Sequence, residues 1–140
     1  MQLKRETDYA IRVMICIAEA LKDRGEEAGV SASEIIGRTQ IPRVSFYRIC
    51  SYLEESQLIV KKGGKNREVL FYPGDLFWEQ SLLSVAEAVE GNMRIFVLFG
   101  RNTSLLKKYA PVVRTVQNEI DAALSAVTME SIVNQKEHAQ

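Results

Sequence analysis

Histidine is almost missing from this sequence: of 140 residues only His138 carries an imidazole, close to the end of the chain. Acid–base catalysis and metal binding lean heavily on that side chain. No Ser/His/Asp set, metal-ligand cluster or glycine-rich phosphate loop takes its place, so the sequence does not read as an enzyme. Cysteine is scarce too, and Cys16 and Cys50 both fall on apolar faces of predicted helices. They are expected to be buried free thiols, not a disulfide. No run approaches the roughly 18 apolar residues of a membrane span, and Met1-Gln2-Leu3-Lys4-Arg5-Glu6 is too polar for a signal peptide. Repeats and low-complexity tracts are absent. The composition, 46% hydrophobic and 26% charged, is that of a globular protein with an ordinary core. The expectation is a cytoplasmic chain with no membrane contact.

Net charge is also lacking, since 18 basic residues balance 18 acidic ones. The balance is uneven along the chain. From Arg38 to Arg67, seven basic residues (38, 43, 48, 61, 62, 65 and 67) face two glutamates (54 and 55), a local net charge of +5. A neutral protein that gathers positive charge in one stretch has the footprint of a phosphate-backbone binder.

That stretch also carries the clearest structural signals. Ser31-Ala32-Ser33-Glu34 has the S-x-x-E spacing of a capping box, so a helix starts near Ala32. Gly37 weakens it and Ile41-Pro42 ends it, while Pro42 suits the first turn of a second helix. Phe46, Ile49, Cys50 and Leu53 then recur at i, i+3, i+4, i+7 as one apolar stripe. The opposite face holds Val44, Arg48, Ser51 and Glu55, flanked by Ser45, Tyr47 and Tyr52. Two β-forming runs follow, Leu58 to Lys62 and Arg67 to Tyr72, joined by Gly63-Gly64-Lys65-Asn66, which supplies the positive φ of a tight hairpin. Lys61, Lys62, Lys65 and Arg67 surround its tip.

Two short helices and a basic hairpin in this order predict a winged helix-turn-helix. The second helix, 42–55, would enter the major groove, where Arg48 can take a guanine edge and Val44 a thymine methyl. An ordinary solvated helix face and an edge hairpin kept soluble by lysines remain the bland alternatives. Glu54, Glu55 and Glu68 beside the basic residues keep open a second function, a winged-helix module that docks a partner protein.

Upstream, Thr7 is placed to cap a helix from Asp8 to about Lys22, apolar almost all round apart from Arg12 and Glu19. In so small a domain such a helix calls for extra cover from a second copy. Residues 22–30 read as a loop. Downstream, Pro73-Gly74-Asp75 marks a turn and Ser81 caps a helix from Leu82 to Glu90, closed by Gly91. Met93 to Phe99 is a short apolar run that reads as strand or buried extended chain. A short helical piece runs to Lys108, and Pro111 opens a longer helix to about Val127. Its Val112, Val113, Val116, Ile120, Ala123, Leu124 and Val127 form a seam that either packs within the monomer or crosses a twofold axis against another copy, the second being the expectation. Thr128 caps a last turn from Met129 to Val133.

The fold class expected is mainly α with a small β-hairpin wing, a winged helix-turn-helix carrying a long C-terminal dimerisation helix. The DNA-binding domain would span 1–75, the dimerisation and effector region 76–133, and a flexible tail 134–140. Phe77, Trp78, Met93, Phe96 and Phe99 are numerous enough to line a small-molecule effector pocket, though aromatics also make plain core.

Several segments resemble the Rrf-two family of bacterial winged-helix transcription regulators. They are Met1-Gln2-Leu3, Thr7-Asp8-Tyr9-Ala10-Ile11-Arg12, Glu34-Ile35-Ile36, Ile41, Leu58-Ile59-Val60, Ser84-Val85-Ala86-Glu87-Ala88-Val89-Glu90-Gly91 and Val127-Thr128-Met129. The resemblance runs from Met1 to about Val133. It implies a homodimer with crossed C-terminal helices, a helix in each major groove and a wing in each minor groove of double-stranded DNA. Carried over by position, the base-reading surface is Pro42, Arg43, Ser45, Tyr47 and Arg48. Tyr47 stands where relatives often have an acidic or amide residue, and the wing lacks the family's usual Arg-Gly-x-x-Gly-Gly-Tyr. Cluster-binding relatives place three cysteines in the loop after the Glu-Gly element, whereas Gly91 to Pro111 has none here. Asp8 matches a ligand position of some relatives, but one carboxylate cannot hold a cluster and suits the helix dipole instead. The expectation is therefore a regulator without an iron–sulfur cluster, a repressor at a palindromic operator, with an effector that the sequence does not name.

Overall fold

A computed structural model describes residues 5–64, 66–91 and 104–138. Helix α1 (Arg5–Arg24) lies at the centre of it. It is followed by β1 (Val30–Ser31), α2 (Ala32–Thr39), α3 (Arg43–Glu55), β2 (Ile59–Gly64), β3 (Arg67–Pro73), a 3-10 turn (Phe77–Glu79), α4 (Leu82–Glu90), α5 (Ser104–Ala126) and α6 (Met129–His138). The winged helix-turn-helix expected from the sequence is present.

Helix α1 is apolar on nearly every side because α2, α3, α4, α6 and β1 all pack against it. Ala10, Val13, Met14 and Ile17 are fully buried there. The cover expected from a second copy comes from the same chain, most of it from α4 and the returning α6. Met129 and Val133 on that helix join the core made by α1, α3 and the sheet. This return also carries helical structure to His138, beyond Asn134, where the sequence suggests a loose tail.

The start of α1 also differs from expectation. The helix begins at Arg5, so Thr7 is inside the first turn and not a cap. Its side chain is fully buried and its hydroxyl donates to the carboxylate of Glu90 at the end of α4. A hydroxyl with no access to water needs such an acceptor.

The cap signals at Ser31, Ser81 and Thr128 are realised, the first of them only in part. The Ser31 hydroxyl accepts from the Glu34 N–H at 3.1 Å, while the Glu34 carboxylate turns to Arg24 at 2.6 Å instead of closing the box. Ser81 and Ser84 make the reciprocal arrangement at α4, and Thr128 and Ser131 do the same at α6. The two latter caps are adjacent, joined by Leu82 N–H to Val127 O and Met129 N–H to Gln80 O, both at 2.9 Å.

The sheet has three strands in the order β1-β3-β2, all antiparallel. Val30 pairs with Phe71 and Ser31 with Leu70, so the end of the expected loop and the cap residue after it become the edge that makes β3 central. Leu76-Phe77-Trp78, unassigned from sequence, leads into the 3-10 turn, with Phe77 buried. Helix α5 is continuous through Pro111 where two pieces were expected. Proline removes one backbone hydrogen bond there, and the helix-forming residues on both sides carry the helix past it. The segment 93–99 lies outside the described residues.

Candidate nucleic-acid interface

Helix α3 is held by its inner stripe. Phe46, Ile49, Cys50 and Leu53 are buried as the spacing predicts, and Phe46 N–H donates to Pro42 O at 2.9 Å to open the helix. Fixing that stripe turns the other face outward. Val44 is 78% exposed, and Pro42, Arg43, Tyr47, Arg48 and Ser51 are exposed beside it, with Ser45 half-buried. Ser51 donates its hydroxyl proton to Tyr47 O at 3.1 Å, so toward a ligand it offers lone pairs. Tyr47 leans edge-on against Phe46, ring centroids 5.2 Å apart.

The hairpin stands next to this face because β2 packs on α3. Its strands pair from Ile59 with Pro73 to Gly64 with Arg67, with a bulge between Lys62 and Gly64. Gly63 has φ +97°, and a Cβ there would lie 2.3 Å from the Glu68 carbonyl oxygen, so only glycine fits the bulge. Lys61, Lys62 and Arg67 are exposed, whereas Lys65 lies outside the described residues. The Lys62 ammonium sits 4.8 Å from the centre of the Tyr72 ring, and Tyr72 in turn lies over Gly29, where a Cβ would come within 2.9 Å of the ring. The ammonium of the wing lysine thus rests on an aromatic platform.

Not all of the positive charge is available. Arg38 pairs with Glu19 at 2.9 Å and approaches Glu34 at 3.8 Å, which makes it a strut between α1 and α2. Arg48 reaches Glu6 of α1 at 2.9 Å. Sequence reasoning passed over Glu6, because only folding brings it to a helix some forty positions away. No local spacing reports such a contact.

The two thiols behave as core. Burial pushes the Cys50 thiol up to about 12, with Glu54 adding to the shift and Lys61 opposing it. Cys16 is raised mainly by burial, and Arg38 only partly offsets this. Cys16 borders an open cleft of about 330 Å³ lined by Arg12, Ile15, Glu19, Arg38 and Thr39. A cluster iron needs thiolates, and among the described residues no three His, Cys, Asp or Glu side chains gather as a metal site.

Of the expected effector pocket, Met93, Phe96 and Phe99 lie outside the described residues. Phe77 is core, and Trp78 donates its indole N–H to Glu26 at 2.7 Å. Trp78 also borders a cleft of about 210 Å³ with Lys22, Glu130, Val133 and Asn134. No described helix is long and apolar enough to cross a membrane.

The fold has solved counterparts. IscR from T. potens matches with a TM-score of 0.74 at 16% identity, covering 100% of this chain and 91% of that one. CymR (YrzC), the global cysteine regulator of B. subtilis, matches with a TM-score of 0.75 at 14% identity, covering 96% of this chain and 98% of that one. CymR from Staphylococcus aureus, in its oxidized form, gives 0.68 at 15% identity over 95% and 96%. No curated protein matches the sequence. The family model for Rrf2, described as an iron-dependent transcriptional regulator, matches residues 3–135. With that model spanning nearly the whole chain, a helix-turn-helix at its centre and a basic wing beside it, the protein belongs to the Rrf2 family of transcriptional regulators.

Proposed function

We propose that the protein is a homodimeric, sequence-specific DNA-binding repressor that blocks promoter access at a palindromic operator. One observation carries this reading: the outward face of α3, with Arg43, Val44, Tyr47 and Arg48, adjoins a hairpin that presents Lys61, Lys62 and Arg67. Helix 42–55 would read base edges in the major groove, and the wing 59–72 would follow the minor groove. Base contacts specify the site, while the lysines neutralise phosphates.

The dimer is supported by α5. Its main packing partner within the chain is α4, none of residues 108–126 is fully buried, and Tyr109, Val112 and Val116 are 46%, 64% and 41% exposed at i, i+3, i+7. A 23-residue helix with an open apolar stripe is suited to a twin helix across a twofold axis. The signal would be a small molecule or a protein and not an iron–sulfur cluster, since the sequence offers two cysteines, Cys16 and Cys50, and none from Gly91 to Pro111. A cytoplasmic site of action follows from a DNA partner.

The test is duplex selection from a random library followed by fluorescence anisotropy across salt. Affinity should fall linearly with salt on logarithmic axes, and the selected sequence should be an inverted repeat. A monomeric protein that is indifferent to duplex in dilute buffer overturns the reading and leaves a module that docks a partner protein.

A further inference from the structure

On the reading that α3 meets base edges, we propose that Glu6 is a positioning residue for DNA recognition, a carboxylate that buttresses Arg48 and so sharpens base discrimination. The Arg48 Nη2 and the Glu6 Oε1 are 2.9 Å apart, with the arginine side chain half exposed and the glutamate 28% exposed. The contact occupies one side of one terminal nitrogen. A guanidinium has five N–H donors in a planar fork, so two donors remain for a guanine O6 and N7 while Glu6 stays bound.

Two features make Glu6 a firm support. Its neighbour Thr7 is fully buried, and the Thr7 hydroxyl holds the Glu90 carboxylate, which ties the first turn of α1 to the end of α4. On the other side, the α3 backbone is fixed by Phe46 and Ile49 in the core. Both ends of the ion pair therefore stand on packed helices, and the arginine loses less rotamer freedom when a base arrives. A carboxylate at its back also disfavours the alternative in which Arg48 swings to a phosphate, because that move leaves Glu6 unpaired near the polyanion. Phosphate contacts carry no sequence information. Glu6 thus turns a general cation into a reader of one base pair.

The experiment compares the parent, Glu6→Gln, Arg48→Gln and the double variant by anisotropy, using the selected duplex and a scrambled duplex at one salt concentration. The parent is measured first, since failure to bind either duplex removes the DNA-binding reading and this proposal with it. If the parent binds, Glu6→Gln should lower the ratio of selected to scrambled affinity by about fivefold. In the Arg48→Gln background the same change should leave the ratio where it was. A ratio unchanged by Glu6→Gln sinks the proposal while DNA binding stands. Equal tightening on both duplexes also sinks it, and shows Glu6 to be a competitor that DNA must displace.

Discussion

Phe46 of α3 and Phe71 of β3 meet edge to face, ring centroids 5.8 Å apart at 83°, and both are wholly buried. This contact joins helix α3 with the central strand of the sheet, which is also one strand of the wing. Helix and hairpin are parts of one rigid surface through it. Phe71→Ala should therefore cost about 3–5 kcal/mol of stability, read from urea denaturation. Phe71→Leu, which keeps most of the volume, should retain the fold and weaken DNA binding if the angle between helix and wing matters.

Thr7 is the one fully buried polar side chain among the described residues. Replacing it by valine keeps the shape and removes the hydroxyl that the Glu90 carboxylate accepts. Hydrogen bonds to charged groups contribute about 1.5–3 kcal/mol. Thr7→Val should lower the unfolding free energy by that order, with amide exchange increasing first at the start of α1 and the end of α4.

Wing and helix residues should separate in their salt response. Lys62→Ala should weaken selected and random duplexes alike and reduce the slope of log affinity against log salt by about one unit. Arg48→Ala should cost about 1–3 kcal/mol on the selected site and relax the preference at one base pair. Unchanged binding of the selected duplex by Arg48→Ala would show that α3 is oriented differently on DNA.

Cys50 gives a pH signature. Its folded thiol titrates at about 12 against a reference of 9.0. Above pH 9 the unfolded chain loses this proton while the folded chain keeps it, so stability falls as pH rises from about 9 toward 12. The slope from this one group is about 1.4 kcal/mol per pH unit. Cys50→Ala should be less stable at neutral pH, with a shallower alkaline decline in denaturant midpoints than the parent. Equal slopes would mean that the thiol is not held protonated.

The open stripe on α5 predicts the oligomeric state. Val112→Glu and Val116→Glu should each shift sedimentation from dimer toward monomer, because an interface charge is left desolvated. Retained circular dichroism would show that only assembly is lost.

Legibility followed the range of the signal. Caps at Ser31, Ser81 and Thr128 and the stripe Phe46, Ile49, Cys50, Leu53 lie within a few residues of each other in sequence, and each was read from it. Strand β1 was not, because two residues hold no period and Val30 finds its partner forty positions later at Phe71. Thr7 followed by Asp8 looks like a cap, and only the arrival of α4 shows that its hydroxyl is needed elsewhere. Pro111 reads as a boundary by local rule, yet it sits inside α5. At the candidate interface the exposed face of α3 was legible from periodicity. The Glu6–Arg48 pair was not, since it depends on how two helices cross.

The packing of α6 on α1 sets an order for biosynthesis. The helix that leaves the ribosome early is covered in part by α2, α3 and α4, but the side that α6 takes stays open to water until the segment after Val127 has also emerged. Chaperone engagement should centre on that open side, and a stop codon just before Met129 should lower the soluble fraction of the product relative to the full chain.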